Sequence, residues 1–317
     1  MPADEATQVG HEDPAWTEPG RAVVVAVDGS RQNRAAIEWA ADTAVGSDRP
    51  LTLLHVLDGS EIPLPFHRME PDDTLGRRLL AAVAETVHSA HPEAHVLEEL
   101  GIGRLEDTLV TRSAAQSAVV VGRRGHGTFL RLLIGSTSLK VCGRARVPVV
   151  VVPQDWDSRA HRREPVVVGV DHRDVQGEAL LYAFLEAQRR GVTLIAAHGR
   201  ELPARDWDQD PPPEVSAVEA AEQASPEALA RAVAPFRDRF DDVHVELLHG
   251  HEHPLTVLLD RTGPAQLLVL GRHGSRDRRG SFPFGSVAQA ALHYAEVPVA
   301  VVPPTARPVK ETHGNLM

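Results

Sequence analysis

Residues 147–153 read VPVVVVP and residues 297–303 read VPVAVVP, so a short apolar motif returns after 150 positions. Other segments return at similar distances: AVVVG at 118–122 returns as LLVLG at 267–271, and AVVVAVD at 22–28 returns as PVVVGVD at 165–171. A repeat of this length indicates two tandem copies of one domain, whereas solenoids repeat roughly every 20 to 50 residues.

The repeat predicts a first domain at residues 20–153 and a second at residues 164–304. The polar stretch 154–164 between them is interpreted as a linker, and residues 1–19 and 305–317 as flexible tails. A chain of 317 residues suits two domains of about 150 residues, each with its own core.

Within each copy, short apolar runs alternate with longer amphipathic stretches. Continuous Val-rich runs are typical of strands that a parallel sheet buries on both faces. The order of elements predicts the α/β class, with two tandem, doubly wound, Rossmann-like domains, each built on a five-stranded parallel sheet. The expected strands are 23–27, 51–57, 95–100, 118–121 and 149–152, then 166–170, 193–197, 243–248, 267–270 and 299–302. The more polar run 95–100 is expected at an edge, and the Pro-rich insertion 203–222 as a loop.

The last strand of each copy would be an exposed apolar edge if the domains stood apart. We therefore expect the two copies to pair through residues 149–152 and 299–302 as an intrachain pseudo-dimer. The sequence does not decide whether two whole chains also form a homodimer.

Two segments follow strands at the point where the strand order reverses, which is where open α/β sheets bind ligands. Asp28, Gly29 and Ser30 follow the first strand. After the fourth strand come Gly122, Arg123 and Gly125, then nine residues, and then a helix start; its residues are Gly135, Ser136, Thr137 and Ser138. Glycines allow close backbone approach, and a helix N-terminus attracts anions, so the pattern predicts a phosphate cradle. The alternative is that the glycines only form turns and Ser136 only caps the helix.

This combination of a Gly-x-x-Gly, nine residues, a Gly-Ser and the motif at 147–153 resembles the ATP-binding universal stress proteins. Asp-Gly-Ser after the first strand and Leu-His-Val at 54–56 add to the resemblance, which implies an adenine nucleotide alpha hydrolase-like fold and ATP, with or without Mg²⁺. By the same resemblance, Asp28 and the backbone at Val56 would recognise adenosine. The ribose and phosphates would be held by Gly122, Gly125, Gly135, Ser136 and Ser138. The residues themselves indicate a phosphate site, and adenine specificity comes from the resemblance alone.

Two side chains beside the cradle are further candidates. Arg123 would place positive charge near phosphates. His126 lies inside the loop, and its side chain has two alternatives: contact with a bound nucleotide or exposure to solvent.

The second copy offers a degenerate version of the site, and we expect weaker binding there. Its candidate residues are Asp171, Ala197, Gly271, Gly274, Gly285, Ser286 and Val287. Ten residues, rather than nine, separate Gly274 from Gly285. His172 and Arg173 replace Gly29 and Ser30, and Ala288 replaces Ser138.

Composition argues against several other functions. A net charge of −11 disfavours nucleic acid as a partner, and no apolar run is long enough to span a membrane. The single cysteine, Cys142, and the lack of a signal-like N-terminus favour a cytoplasmic location. We expect no metal site, and the histidines at 249, 251 and 253 are interpreted as solvated loop residues.

The leading hypothesis is a nucleotide-dependent regulator of the stress response that binds ATP, with no catalytic residue. An enzyme is less favoured, since no general base with a matched partner is evident beside the cradle. A slow Mg²⁺-dependent ATPase and a chaperone-like scaffold with a vestigial nucleotide site remain the alternatives.

Overall fold

A computed structural model describes residues 13–57, 73–123, 134–171, 177–199, 226–261, 263–272 and 285–305. The strands in these residues are β1 (Val23–Ala26), β2 (Leu51–Leu57), β3 (Val96–Ile102), β4 (Ala118–Gly122), β5 (Val149–Val152), β6 (Val166–Gly169), β7 (Leu194–Gly199), β8 (Val245–Gly250), β9 (Leu267–Gly271) and β10 (Val299–Val302). The helices are α1 (Arg34–Gly46), α2 (Thr74–Ala90), α3 (Leu105–Ser113), α4 (Ser136–Arg144), α5 (Glu178–Arg190), α6 (Pro226–Arg239), α7 (Pro254–Thr256) and α8 (Ser286–Tyr294); a π-helical turn, Val257–Arg261, follows α7.

These strands form one sheet in the order β3-β2-β1-β4-β5-β10-β9-β6-β7-β8. Each half is a parallel five-stranded sheet whose order reverses next to its first strand, as the sequence predicts. The more polar β3 lies at an edge of the sheet, also as predicted. The insertion 203–222 lies outside the described residues.

The two halves join through β5 and β10, which run antiparallel with Val150 opposite Ala300. The predicted pairing of the last strands is therefore confirmed. Both strands are fully buried, because the seam turns two apolar edges into the centre of one sheet.

Residues 13–19, which we expected to belong to a flexible tail, contact both halves of the chain: Thr17 and Glu18 accept from Arg49 of the first half, and Asp13 and Trp16 meet the second. Trp16 is buried and its ring meets that of Tyr182 edge-on, with centroids 5.6 Å apart. Asp13 pairs with Arg239 at 2.7 Å. Burial of the Trp16 ring explains the difference. A large aromatic side chain contributes enough packing energy to hold a segment whose other residues are mostly polar.

Candidate functional site

The candidate site of the first half lies beyond the carboxyl ends of β1 and β4. These two strands are neighbours in the sheet, and the chain leaves them toward opposite sides of the strand order. Such a reversal opens a crevice between the loops that follow the two strands. The topology thus brings the segment at 28–30 and the helix start at 135–138 to one edge.

The turn after β1 is held by two polar side chains. The backbone N–H of Ser30 donates to Oδ1 of Asp28 at 2.8 Å. Asn33, buried at the start of α1, donates from Nδ2 to the carbonyl oxygen of Ala26 at 3.0 Å and accepts from the N–H of Asp28 at 3.3 Å. Its side chain therefore fixes the turn and does not cap the helix. Asn33, which positions this turn, was not among the site residues predicted from the sequence.

Gly29 sits in this turn with φ of +75°, a left-handed conformation that favours glycine. A Cβ added there would lie 3.2 Å from Cδ1 of Leu79. The backbone therefore approaches α2 at a distance that leaves little space for a side chain.

The hydroxyl of Ser30 is a polar group at the site that the described residues leave unsatisfied. Its Oγ is buried, and none of the described residues forms a hydrogen bond with it. A buried polar atom in that state costs free energy unless another molecule supplies a partner. A ligand with polar atoms at this turn fits that requirement.

The loop that follows β4 closes on itself at its base. The N–H of Gly135 donates to the carbonyl oxygen of Arg123 at 2.9 Å, and Oγ of Ser138 donates to the carbonyl oxygen of Gly122 at 3.0 Å. Gly125 and His126, predicted between these ends, lie outside the described residues.

Helix α4 begins at this closure and presents its N-terminus to the same edge of the sheet. Gly135 stands at the N-cap with φ of −64° and ψ of 145°, and no described side chain caps the helix. The first N–H groups of a helix have no intrahelical partner, and the helix dipole favours an anion there. Ser136 is exposed and Thr137 half-buried beside them.

Two predicted site side chains do other work in the structure. The guanidinium of Arg123 crosses the seam and donates to the carbonyl oxygen of Ala295. Ser138 is buried, and its hydroxyl donates a hydrogen bond to the carbonyl oxygen of Gly122, which connects α4 to β4. The contact of Ser138 joins two residues of the predicted motif, 16 positions apart, whereas that of Arg123 reaches a residue 172 positions away that the motif does not include.

Val56 lies on β2 opposite Gly101, half-buried at the carboxyl end of the strand. The residue before it, His55, has Nδ1 2.7 Å from the carbonyl oxygen of Val27. A carbonyl can only accept, so Nδ1 carries the proton.

The second half repeats this histidine contact and thereby aligns β7 with β2. Nδ1 of His198 lies 2.7 Å from the carbonyl oxygen of Val170, 143 positions after the first pair. The counterpart of Val56 is therefore Gly199, two positions after the candidate Ala197. Ala197 is buried, and its carbonyl oxygen accepts from Val170 at 2.9 Å.

Gly199 has a different neighbourhood from Val56. A Cβ at Gly199 would lie 2.8 Å from Cα of Pro254 and 2.8 Å from Cγ2 of Val257. The helical segment after β8 thus fills the volume next to this strand end.

The other described second-half candidates keep the backbone layout and, apart from Val287, the residue types of the first half. Asp171 follows β6, and Gly271 ends β9. Gly285 stands at the N-cap of α8 with φ of −62°, followed by the exposed Ser286. Val287 replaces the hydroxyl of Thr137 with an apolar group that packs against the core. Gly274 lies outside the described residues.

The second half also gathers histidines near this edge. The rings of His198 and His249 stack with centroids 5.8 Å apart, and His251 meets His249 edge-on at 4.9 Å. His249 is half-buried on β8, which corrects its interpretation as a loop residue, and His253 accepts from the N–H of Leu255 at the start of α7. Within the described ranges, no group of three or more His, Cys, Asp or Glu residues is arranged to hold a metal ion.

The family model described as "Universal stress protein family" matches this chain twice, at residues 20–153 and 162–303. The chain belongs to the universal stress protein family. It is similar to a universal stress protein of Mycolicibacterium smegmatis, with 34% identity over 295 residues that cover 89% of this chain and 97% of the relative. It is also similar to universal stress protein Rv2005c of Mycobacterium tuberculosis, with 34% identity over 296 residues, 88% of this chain and 96% of the relative.

Solved universal stress proteins share the fold over most of the chain. A protein of Archaeoglobus fulgidus aligns with a TM-score of 0.66 at 19% identity, covering 90% of this chain and 99% of the other. One of Pseudomonas aeruginosa, described as putative, aligns with a TM-score of 0.61 at 16% identity, covering 90% and 94%. In the part of this universal stress protein that the structure describes, no helix is long and apolar enough to cross a membrane.

Proposed function

We propose that this universal stress protein binds an adenine nucleotide, ATP, at the β1–β4 edge of its first domain and acts as a nucleotide-dependent regulator. The observation that carries the proposal is the buried hydroxyl of Ser30, which no described residue hydrogen-bonds, at the same edge as the N-terminus of α4, which no described side chain caps. A ligand with polar groups and negative charge would hydrogen-bond the Ser30 hydroxyl and be attracted by the N-terminus of α4.

Different residues of the chain would bind different parts of the nucleotide. The backbone at Gly135 and Ser136 would receive phosphate oxygens through the helix N–H groups. Asp28, whose carboxylate the turn holds in place, and Val56 would face the adenosine. A bound Mg²⁺ would neutralise phosphate charge. Adenine specificity is supported by membership of the family.

Regulation is favoured over fast hydrolysis by the chemistry of the described edge. Its groups are backbone donors, hydroxyls and one carboxylate that already accepts from Ser30. Such groups position a nucleotide, but rapid phosphoryl transfer also needs a group that orients the attacking water.

Titration calorimetry of ATP into the full chain, combined with a phosphate-release assay, tests the proposal. We expect binding below millimolar ATP and turnover slower than about 1 s⁻¹, the low end for ordinary enzymes. Faster turnover would favour an ATPase, and no binding at millimolar ATP would favour a scaffold. Mass spectrometry of the natively purified protein adds a direct search for retained nucleotide.

A further inference from the structure

Helix α4 of the first domain is held at its C-terminal end by a residue of the second domain. Nη1 of Arg272, the first residue after β9, donates to the carbonyl oxygens of Ala145, at 2.7 Å, and Cys142, at 3.2 Å. Ala145 is the C-cap of α4, and both acceptor residues are buried. The last carbonyls of a helix have no intrahelical partner and carry partial negative charge, so a guanidinium suits this helix end.

This contact is partly withdrawn from water. Arg272 is half-buried, and burial lowers the pKa of its guanidinium, which stays charged at neutral pH. Arg144, in the same last turn of α4, pairs with Asp107 of the first domain at 2.8 Å, but both of these side chains are about half exposed. Exposed ion pairs contribute little to stability. Of these two contacts, the one from the second domain therefore fixes the end of α4 more firmly.

The other end of α4 is the N-terminus at the proposed nucleotide edge. The N–H of Gly135 donates to the carbonyl oxygen of Arg123 at 2.9 Å. The guanidinium of Arg123 donates in turn to the carbonyl oxygen of Ala295, the C-cap of α8 in the second domain. Both ends of α4 are thus linked to the second domain, one directly and the other through Arg123.

Arg272 lies too far from the nucleotide edge to contact a ligand there. Helix α4 has nine residues and is about 13 Å long, and Arg272 contacts its last turn, whereas the first turn borders the edge. The attraction of a helix N-terminus for an anion acts within the first turn and depends on where the free N–H groups lie. Any effect of Arg272 on a phosphate must therefore pass through the position of α4.

We infer that Arg272 is a positioning residue for the nucleotide site of the first domain, because it holds α4 where the first N–H groups of the helix can receive phosphate oxygens. The inference rests on the proposed function and requires no ligand in the second domain. It gives the second domain a role at the first site: it contributes to ATP affinity there without contacting the ATP.

The first test asks whether Arg272 holds α4, and it needs no nucleotide. Arg272→Met in the full chain removes the donors and keeps an unbranched apolar stem. We expect faster hydrogen exchange at Leu139 and Ala145, whose N–H groups donate to carbonyl oxygens of the preceding turn. Arg237→Met is the matched control, because it removes the same charge and a hydrogen bond to the carbonyl oxygen of Val245 within the second domain. Equal exchange at Leu139 and Ala145 in the two variants would overturn the inference.

The second test measures ATP affinity by titration calorimetry with Mg-ATP. Gly285→Glu serves as the parent chain, so that the N-terminus of α8 does not contribute a second site. We expect Arg272→Met in this parent to bind about tenfold more weakly, which corresponds to about 1.4 kcal/mol, and Arg237→Met to stay within about twofold of the parent. A merely structural role would lower the free energy of unfolding of Arg272→Met and leave ATP affinity unchanged, and that result would refute the positioning role.

The outcomes separate this inference from the proposed function. If the unsubstituted chain does not bind ATP at millimolar concentration, the proposed function fails and the inference fails with it. Equal affinities of the parent and Arg272→Met overturn the positioning role alone. If Arg272→Met does not fold, Arg272→Lys keeps the charge and loses the planar fork. Weaker binding than in the parent is then expected, and parental affinity would overturn the inference.

Discussion

The Cβ that Gly46 lacks would lie 2.6 Å from Nη1 of Arg189, so the glycine in the first domain leaves the space that this arginine of the second domain occupies. Gly46 and Arg189 are equivalent positions, 143 apart, on α1 and α5. The guanidinium that fills the space also donates to the carbonyl oxygen of Asp42 at 3.3 Å. At these two equivalent positions, the second domain thus has a buried charged side chain and the first domain has none.

Glu186 balances the buried charge at this place. Its Oε2 accepts from Nη2 of Arg189 at 2.6 Å and from Nε of Arg190 at 3.0 Å. Burial alone would raise the pKa of Glu186, but the two guanidinium charges prevail and lower it. The carboxylate is therefore charged at neutral pH.

We expect Glu186→Gln to lower the free energy of unfolding by about 3–5 kcal/mol, because it leaves two buried guanidinium groups without their counter-charge. Urea unfolding of the full chain measures the change. Glu38→Gln is the control, since it removes an exposed pair with Arg34 on α1 and should cost less than about 1 kcal/mol. Equal effects of the two substitutions would contradict a structural role for Glu186.

Gly135→Glu should abolish nucleotide binding by the first domain and leave the melting temperature nearly unchanged. A Cβ at Gly135 would lie 3.5 Å from the carbonyl oxygen of Arg123, an ordinary contact, so the backbone accepts a side chain. The carboxylate would then repel phosphate at the helix N-terminus. Calorimetry measures the binding, with Gly135→Ala as the uncharged control; unchanged ATP affinity in Gly135→Glu would remove this residue from the site.

The two domains should bind nucleotide unequally, with the first domain tighter. Ser30, with its unsatisfied hydroxyl, is replaced by Arg173, and Thr137 by the core-packed Val287. Each 1.4 kcal/mol of lost interaction weakens binding about tenfold. In the full chain, Gly285→Glu should therefore retain tighter binding than Gly135→Glu, and equal or reversed affinities would refute this order.

Ser138→Ala should cost stability more than affinity. Its hydroxyl joins α4 to β4 through Gly122, and loss of that hydrogen bond should cost about 0.5–1.5 kcal/mol. ATP affinity should stay within a few fold. The second domain already has Ala288 at this position, so Ala288→Ser in the same denaturation assay tests whether the bond can be added. If Ser138→Ala greatly weakened ATP binding while the free energy of unfolding stayed the same, Ser138 would instead contact the ligand.

The contact between α3 and α4 should depend on pH through Glu106. Hydrogen bonds from Lys140, at 2.9 Å, and from Arg104, at 2.7 Å, help to lower the pKa of Glu106 from 4.5 to about 2. A lowered pKa in the folded state stabilises the protein above the unfolded value, and this stabilisation is lost as the pH falls from about 4.5 through about 2.

Lys140→Met should therefore destabilise the protein at pH 7 and progressively less below pH 4.5. Unfolding free energies across this range measure the difference between the two proteins. Arg34→Met, which removes the exposed pair on α1, serves as control and should show no such trend. A difference that stays constant down to pH 2 would contradict the assignment to Glu106.

The elements that could be predicted from the sequence are those with a local signal. Buried parallel strands appear as unbroken apolar runs, and the runs at 149–152 and 299–302 match β5 and β10 in full. The left-handed Gly29 also follows from local chemistry, since a tight turn after a strand favours glycine.

The positions that could not be predicted depend on distant contacts. Arg123 stands in a glycine-rich loop, yet its partner, Ala295, lies 172 residues away in the other domain. The equivalence of Gly199 with Val56 became evident from the contacts of His55 and His198 with the chain, although the two histidines were already available in the sequence as a signal for this alignment.

The antiparallel seam between β5 and β10 has a consequence for access. Parallel strands within each half point their carboxyl ends one way, and the seam reverses that direction for the other half. The two candidate ligand edges therefore lie at opposite ends of the strands. A single small ligand cannot contact both edges at once.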